Sequence, residues 1–231
     1  MLIRIGLEHD NEARTLAWAL DFPGCFAYGA DEAEALLQLP GSLLQFDYWV
    51  RLHSDQPWFK LEDMDFHVDE SFTCYVVPDS QDQYVVNAFF NDDTRPLSEN
   101  ELEQAIKVLT WQHQELQAGI EFAEPSHLDL ARDGGCWSIE GILKHLARAE
   151  VWYLQVLGFD VLPPPENLSG IDQLEYSYQL VIKYLPEMVG SKEISQYSGE
   201  SWTPRKFVRR LLWHRRDHID QIKKLLGVPL A

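Results

Sequence analysis

The N-terminal part of the chain contains short runs of apolar, β-branched and aromatic residues, separated by polar, glycine-containing or proline-containing breaks. Such runs are typical of β-strands. The predicted strands cover residues 2–7, 15–20, 25–28, 72–77 and 84–90. The polar segment 9–12 lies between the first two runs, and this arrangement predicts a β-hairpin. With a helix after the third strand, the pattern predicts a small α+β domain over residues 1–96.

The helix of this domain is expected to begin at Asp31, because an Asp side chain can accept a hydrogen bond from a free backbone amide of the first turn. Pro40 and Gly41 are expected to interrupt the helix, since proline has no backbone donor and clashes with the preceding turn. A second helical piece is then predicted over residues 42–53.

From residue 97 onward the apolar residues recur at the spacing of amphipathic helices. Ser98 and Glu101 form a capping-box pattern before the first of these helices, and Ser138 and Thr203 can cap two others. The predicted inward stripes are Leu102, Ile106, Leu109, His113, Leu116 and Ile120; Ile142, His145, Ala149, Trp152 and Val156; Leu174, Tyr178, Val181 and Leu185; and Phe207, Leu211, His214, His218, Ile222 and Leu225. Four helices predict that residues 97–231 form an all-α four-helix bundle.

The composition is that of a globular protein, with 45% hydrophobic and 24% charged residues in a chain of 231. No apolar run approaches the ~20 residues of a membrane-spanning helix, and no secretory signal pattern is present at the N-terminus. Three widely spaced cysteines, Cys25, Cys74 and Cys136, do not form a disulfide framework. These features predict a cytoplasmic protein that does not associate with membranes.

The net charge of −18 is unevenly distributed along the chain. Residues 1–96 contain 18 acidic and 5 basic residues, and an acidic surface of this kind disfavours nucleic acids as partners. By contrast, 8 of the 19 basic residues lie between Arg205 and Lys224. A solvated outer helix face is the default interpretation of this basic segment. Two alternatives stay open: Arg209 and Arg216 bind an anionic cosubstrate, or the segment docks on the acidic N-terminal half.

Three histidines lie on the predicted inward stripes of two helices. His214 and His218 are four residues apart, so both imidazoles project from one face of the last helix, and His145 lies on the second helix. Three imidazoles can hold Zn²⁺ or a similar ion and leave a fourth position for water or substrate. Alternatively, each histidine is a hydrogen-bonded core residue or a solvated one. His113 on the first helix is a fourth ligand, a supporting residue or a core histidine.

Two segments of the C-terminal part resemble the DinB-like proteins. Residues 136–150, CWSIEGILKHLARAE, resemble the second-helix signature of that family, and residues 201–218 resemble its fourth-helix signature with a His-x-x-x-His pair. The resemblance covers about residues 97–231 and implies a bundle of up-down-down-up order in which His145, His214 and His218 bind Zn²⁺ or Ni²⁺. It also implies homodimers in some members and, where activity is known, transferases or isomerases that use bacillithiol, mycothiol or glutathione.

A segment of the N-terminal part resembles the strand–turn–strand–helix core of HicB-type antitoxin domains. It covers residues 22–36 and has the sequence FPGCFAYGADEAEAL. The match covers about residues 2–39, and no ribbon-helix-helix or helix-turn-helix segment follows it. This resemblance therefore implies a small HicB-like α+β domain without the DNA-binding part of an antitoxin.

These observations lead to two hypotheses about function. The first is a metal-dependent transferase, isomerase or hydrolase. In this hypothesis the metal lowers the pKa of a bound small thiol or water, which then attacks an electrophile. Glu150 would orient a ligand or act as general base, unless it is only a charged partner of a neighbouring residue. Cys136 is reactive at its helix entrance or, alternatively, a structural cysteine. The second hypothesis is a non-enzymatic, metal-stabilised scaffold or stress protein whose HicB-like domain mediates protein interaction.

Overall fold

A computed structural model of the protein describes residues 1–78, 84–121, 128 and 137–227. The chain divides into two compact units. The first unit comprises residues 1–95 and 192–209, and the second comprises residues 96–191 and 210–231. The division falls inside the last helix.

The first unit is built on a four-stranded mixed sheet with the strand order β3-β2-β1-β4. Its strands are β1 (Leu2–Asn11), β2 (Arg14–Ala19), β3 (Phe26–Gly29) and β4 (Asp65–Thr73). The pairs β1/β2 and β2/β3 are antiparallel, whereas β1 and β4 run parallel. The predicted hairpin is confirmed, and its turn places Glu12 and Ala13 in the left-handed region at φ values of 52° and 61°.

One helix, α1 (Glu32–His53), packs on this sheet. Asp31 caps it as predicted, because its side chain accepts from the Glu34 amide at 2.9 Å. The predicted interruption at Pro40 and Gly41 is wrong, since the helix continues through both residues. The buried residues of the helix, which lie on both sides of the proline, are Ala35, Leu39, Leu43, Trp49 and Val50. Burial of several large apolar side chains, worth about 1.5–3 kcal/mol each, outweighs the roughly 3 kcal/mol that an interior proline costs.

The strand predictions over 72–77 and 84–90 are confirmed only in part. The remaining short strands are β5 (Tyr75–Val76), β6 (Val85–Val86), β7 (Ser195–Tyr197) and β8 (Glu200–Trp202), paired as β5/β6 and β7/β8. After Val86 the backbone finds side-chain acceptors instead of a neighbouring strand. The Ala88 amide donates to Glu8 at 3.3 Å, and the Phe90 amide donates to an Asp93 oxygen at 2.9 Å. Side-chain carboxylates therefore satisfy backbone donors that a ladder would otherwise use.

In the described part of the second unit, four helices share one hydrophobic core. They are α2 (Glu99–Glu121), α3 (Ile139–Val156), α4 (Gly170–Tyr184) and most of α5 (Pro204–Leu226). The shared core contains Leu116, Ile139, Ile142, Leu143, Leu146, Leu174, Ile219 and Ile222. The predicted caps are confirmed, because Ser98, Ser138 and Thr203 each accept from a backbone amide three residues later. Among the described residues, no helix is both long enough and apolar enough to cross a lipid bilayer.

The inward face of α3 is rotated from the predicted stripe. Of the five predicted positions only Ile142 is fully buried, and His145 and Trp152 are half-buried. The buried face is made by Ile139, Ile142, Leu143, Leu146, Ala147, Glu150, Val151, Tyr153 and Leu154. A pattern of hydrophobicity treats Glu150 as a surface position, and this choice turns the predicted face away from the observed one. His145 consequently lies at the border of the core.

Candidate metal centre

Three histidine side chains from two helices converge in the second unit. His145 lies on α3, and His214 and His218 lie one turn apart on α5. The Nε2 atom of His214 is 2.9 Å from Nε2 of His145 and 3.1 Å from Nε2 of His218. One potential ligand atom from each ring lies within 4.8 Å of the other two. The structure therefore brings together the three residues that the sequence singled out.

Aromatic rings surround the three imidazoles. Trp137 is 47% exposed, and its ring centroid lies 4.2 Å from the ring centroid of His145. The rings of Trp213 and Tyr153 lie 5.7 Å and 6.2 Å from the His214 ring. His214 is buried, while His145 and His218 are half-buried. The cluster thus has a buried side at His214 and a more accessible side at His145, next to Trp137.

The surroundings of the rings favour neutral imidazoles with available lone pairs. Burial, reinforced by the charge of His218, lowers the pKa of His145 to about 4. Burial also holds the pKa of His214 well below its ordinary value, with neighbouring positive groups acting in the same direction. The Nδ1 atom of His218 lies 2.7 Å from Oε1 of Gln221. Because an amide oxygen only accepts, Nδ1 carries the proton and the lone pair of Nε2 faces the other two rings.

These nitrogens fit a divalent ion of the zinc type. Tetrahedral Zn²⁺ with Zn–N bonds of about 2.0–2.1 Å separates its ligand nitrogens by about 3.3 Å. The observed separations of 2.9 and 3.1 Å are close to that value. Neutral rings whose nitrogens meet this closely would set lone pairs against one another unless protons or a cation lay between them. A metal ion satisfies all three nitrogens at once.

His113 does not belong to this cluster. Its ring stacks on Tyr178 at a centroid distance of 4.0 Å and an interplanar angle of 4°. Arg215 donates to its Nδ1 at 3.3 Å, and its Nε2 donates to Glu175 at 2.9 Å. Burial and the Arg215 charge lower the pKa of His113, because a proton on Nδ1 would face the guanidinium. Of the three interpretations left open, the contacts correspond to the core histidine.

Glu150 is buried in an ion pair and lies outside the group of three metal-binding candidates. Arg215 donates to both of its carboxylate oxygens, at 2.6 and 2.9 Å, and Ser177 donates to Oε2 at 2.7 Å. The catalytic role of Glu150 stays a prediction. Its contacts in the structure connect α3 to two other helices, to α5 through Arg215 and to α4 through Ser177.

The default interpretation of the basic segment on α5, a solvated outer face, is wrong. The buried members are Arg205, Lys206, Arg209, Arg210 and Arg215. Within the first unit, Arg209 donates to both carboxylate oxygens of Asp93, at 3.1 and 2.6 Å, and to the Ala88 carbonyl at 3.0 Å. Charged side chains enter a protein interior when a partner offsets the lost hydration.

Arg216, the other residue proposed for an anionic cosubstrate, is half-buried in the second unit. It lies 3.4 Å from Glu115 and 3.5 Å from Asp220. Arg209 and Arg216 thus both pair with carboxylates of the protein itself, and cosubstrate binding by either stays a prediction. Cys136, the candidate reactive thiol, lies outside the described residues.

Sequence reasoning missed two residues that support the cluster. Gln221 lies three residues after His218, so helical spacing alone could have identified it as a partner of that ring. Arg215 follows His214 directly, but counting it with the outer basic residues concealed its buried position. Its partner Glu150 is 65 residues away in the chain, and no local pattern connects the two.

Comparison with known proteins gives little beyond this geometry. No protein-family model matches the chain, and no curated protein is significantly similar to it. The chain is similar to one solved structure, YfiT from Bacillus subtilis, described as a probable metal-dependent hydrolase with an unusual four-helix bundle topology. The identity is 18%, the match covers 58% of this chain and 93% of YfiT, and the TM-score is 0.44. This likeness assigns no function to the chain, and no comparison supports the HicB-type resemblance.

Proposed function

We propose that the second unit binds one divalent metal ion, Zn²⁺ or Ni²⁺, through Nε2 of His145, His214 and His218. The observation that carries this proposal is the convergence of three ring nitrogens, with 2.9 and 3.1 Å between neighbours. Three protein ligands leave a coordination position for an external molecule, which is typical of catalytic rather than structural sites. The proposal includes membership of the DinB-like family with its up-down-down-up helix order.

We infer that the chemistry is attack by a small thiol or by water on an electrophile, as in a transferase, an isomerase or a hydrolase. A bound ion of this kind lowers the pKa of a thiol or water ligand and so supplies a nucleophile near neutral pH. The described cysteines, Cys25 and Cys74, are both buried and form no disulfide. Burial raises the pKa of Cys25, and the Cys74 thiol donates to Glu8 at 3.2 Å. Neither of these two buried residues is suited to act as the nucleophile, and in this proposal the thiol comes from a second substrate.

The chain's own residues have defined tasks in this proposal. Gln221 keeps the proton of His218 on Nδ1, so Nε2 stays available as a ligand. Burial lowers the pKa values of His145 and His214 and so favours the neutral rings that a metal ion requires as ligands. Trp137 lies beside His145 and is partly exposed, so an incoming substrate on that side meets its indole ring.

The proposal is tested by metal analysis of protein purified without a histidine tag. We expect about one equivalent of Zn²⁺ or Ni²⁺ per chain, removable with a chelator. The metal-loaded and metal-free forms are then assayed with small electrophiles in the presence and absence of bacillithiol, mycothiol or glutathione. Thiol-dependent turnover of the loaded form supports a transferase or isomerase, and thiol-independent turnover supports a hydrolase. A metal-loaded protein without turnover in any assay would leave the metal site but overturn the enzymatic part.

Binding of a quenching ion is expected to lower the fluorescence of Trp213, whose ring lies 5.7 Å from that of His214, and of Trp137. The Trp137 ring lies 4.2 Å from the His145 ring, which is close contact for an indole and a ligand. Titration with Co²⁺ should therefore quench wild-type fluorescence, and the W137F variant should lose part of that quench. The matched control is W58F, because Trp58 contacts Phe59 in the first unit. An equal fractional quench in wild type and in a W137F/W213F variant, which lacks both indoles beside the histidines, would place the ion elsewhere.

A further inference from the structure

A layer of polar side chains crosses the core of the second unit. Glu150 of α3 and Arg215 of α5, both with 0% exposure, form its centre. Nε and Nη2 of Arg215 donate to the two oxygens of Glu150 at 2.6 and 2.9 Å. Ser177 of α4 donates to Glu150 at 2.7 Å, and Arg215 donates to His113 of α2 at 3.3 Å. Each of the four helices therefore contributes at least one side chain.

Stability alone does not explain a buried pair of this kind. Two charges lose their hydration when they are buried, and well-packed apolar residues of similar volume often stabilise a protein as well or better. A paired guanidinium and carboxylate instead fix the relative position of the two side chains. The planar guanidinium donates to both carboxylate oxygens only when the two groups lie in one particular orientation. The pair thus determines which positions of α3 and α5 stand opposite each other.

The same two helices carry the three histidines. Arg215 directly follows His214, and Glu150 lies five residues after His145. A slip of α5 along α3 by one turn, about 5.4 Å, would break the pair. The same slip would separate His214 from His145, whose ring nitrogens are 2.9 Å apart.

We propose that Glu150 and Arg215 are positioning residues that fix the register of α3 and α5, so that His145, His214 and His218 meet around the metal ion. This inference rests on the proposed metal site and assigns Glu150 a role through Arg215 instead of a direct contact with substrate. It also explains why a bidentate pair is buried where apolar side chains would fill the space.

The test compares metal-free and Co²⁺-loaded forms of the double variant E150M/R215M. Removing both charges together avoids an unpaired buried ion, so we expect a folded protein whose apo form unfolds at or near the wild-type temperature. Its Co²⁺ affinity should fall by about tenfold or more, the loss seen when residues that orient ligands are removed. Its visible absorption should also shift from the intense bands of four-coordinate Co²⁺ toward the weak bands of higher coordination.

A matched control comes from another ion pair of the same helix. Lys223 of α5 pairs with Glu115 of α2, a helix that carries none of the three histidines. The K223M variant should keep the wild-type Co²⁺ affinity and spectrum. If K223M changed both as strongly as the double variant, the effect would be general loosening of the bundle and the inference would be wrong.

Each remaining outcome also decides the question. Wild-type affinity and spectrum in a folded E150M/R215M variant would overturn the positioning role while leaving the metal site intact. Failure of wild-type protein to bind Co²⁺ would instead overturn the metal site itself. If the double variant did not fold, the R215K variant would decide the question, because lysine keeps the positive charge but cannot bind both carboxylate oxygens in the bidentate geometry of arginine. An altered Co²⁺ spectrum of R215K would support the inference. An unchanged spectrum would contradict it.

Discussion

Replacing His214 with alanine is expected to abolish stoichiometric binding of Zn²⁺ or Ni²⁺. His214 holds the central ring of the cluster, because its Nε2 is the atom within 3.1 Å of both other nitrogens. Structural zinc sites with four ligands gain about 10–16 kcal/mol from the metal, so the loss of one ligand costs about 3 kcal/mol and weakens binding at least ~100-fold. The measurement is metal content by mass spectrometry, followed by competition with a chromophoric chelator.

The matched control for this variant is H67A. The His67 side chain is 66% exposed in the first unit, and His67 is not a member of the group of three histidines. H67A should retain the full metal content, and H218A should lose it as H214A does. Full occupancy in H214A with intact folding would show that the metal of the purified protein is held by other residues.

The histidine cluster could be predicted from the sequence because most of its geometry is local. His214 and His218 are separated by one helical turn, and any helix places such residues on one face. Including His145 in the cluster required a further assumption, namely that the face of α3 that carries His145 is turned toward the histidines of α5. The structure brings the three rings together, but the buried face of α3 differs from the predicted stripe, since four of the five predicted positions are not fully buried.

The buried charges could not be predicted in the same way. Arg209 pairs with Asp93 at a separation of 116 residues, and Arg215 pairs with Glu150 at 65. A charged residue enters the interior only when its partner is present, and the partner is determined by tertiary packing instead of neighbouring sequence. The hydrophobic pattern therefore assigned these side chains to the surface. The predicted helix interruption at Pro40 is wrong for a related reason. Burial of the α1 face around Pro40 outweighs the low helix propensity of proline.

The second large effect concerns the first unit, where K206M is expected to lower the free energy of unfolding by about 3–5 kcal/mol. Lys206 and Glu200 have side chains with 0% exposure, and Nζ lies 2.5 Å from Oε1 of Glu200. Nζ also donates to the Asn87 carbonyl at 3.2 Å and lies 4.8 Å from the centre of the Trp202 ring. Methionine fills most of the space but leaves the Glu200 carboxylate buried without its cation. Urea unfolding of metal-free protein measures the change.

Two further variants separate the missing charge from the missing packing. The double variant K206M/E200Q should recover most of the lost free energy, because a neutral amide needs no cation and can still accept the hydrogen bond from Tyr84. K60M is the matched surface control, since Lys60 and its partner Glu62 have side chains 74% and 63% exposed and such pairs contribute about 0–1 kcal/mol. A loss in K206M no larger than in K60M would mean that the ammonium does not stabilise Glu200. Equal losses in K206M and K206M/E200Q would instead assign the effect to packing around Trp202.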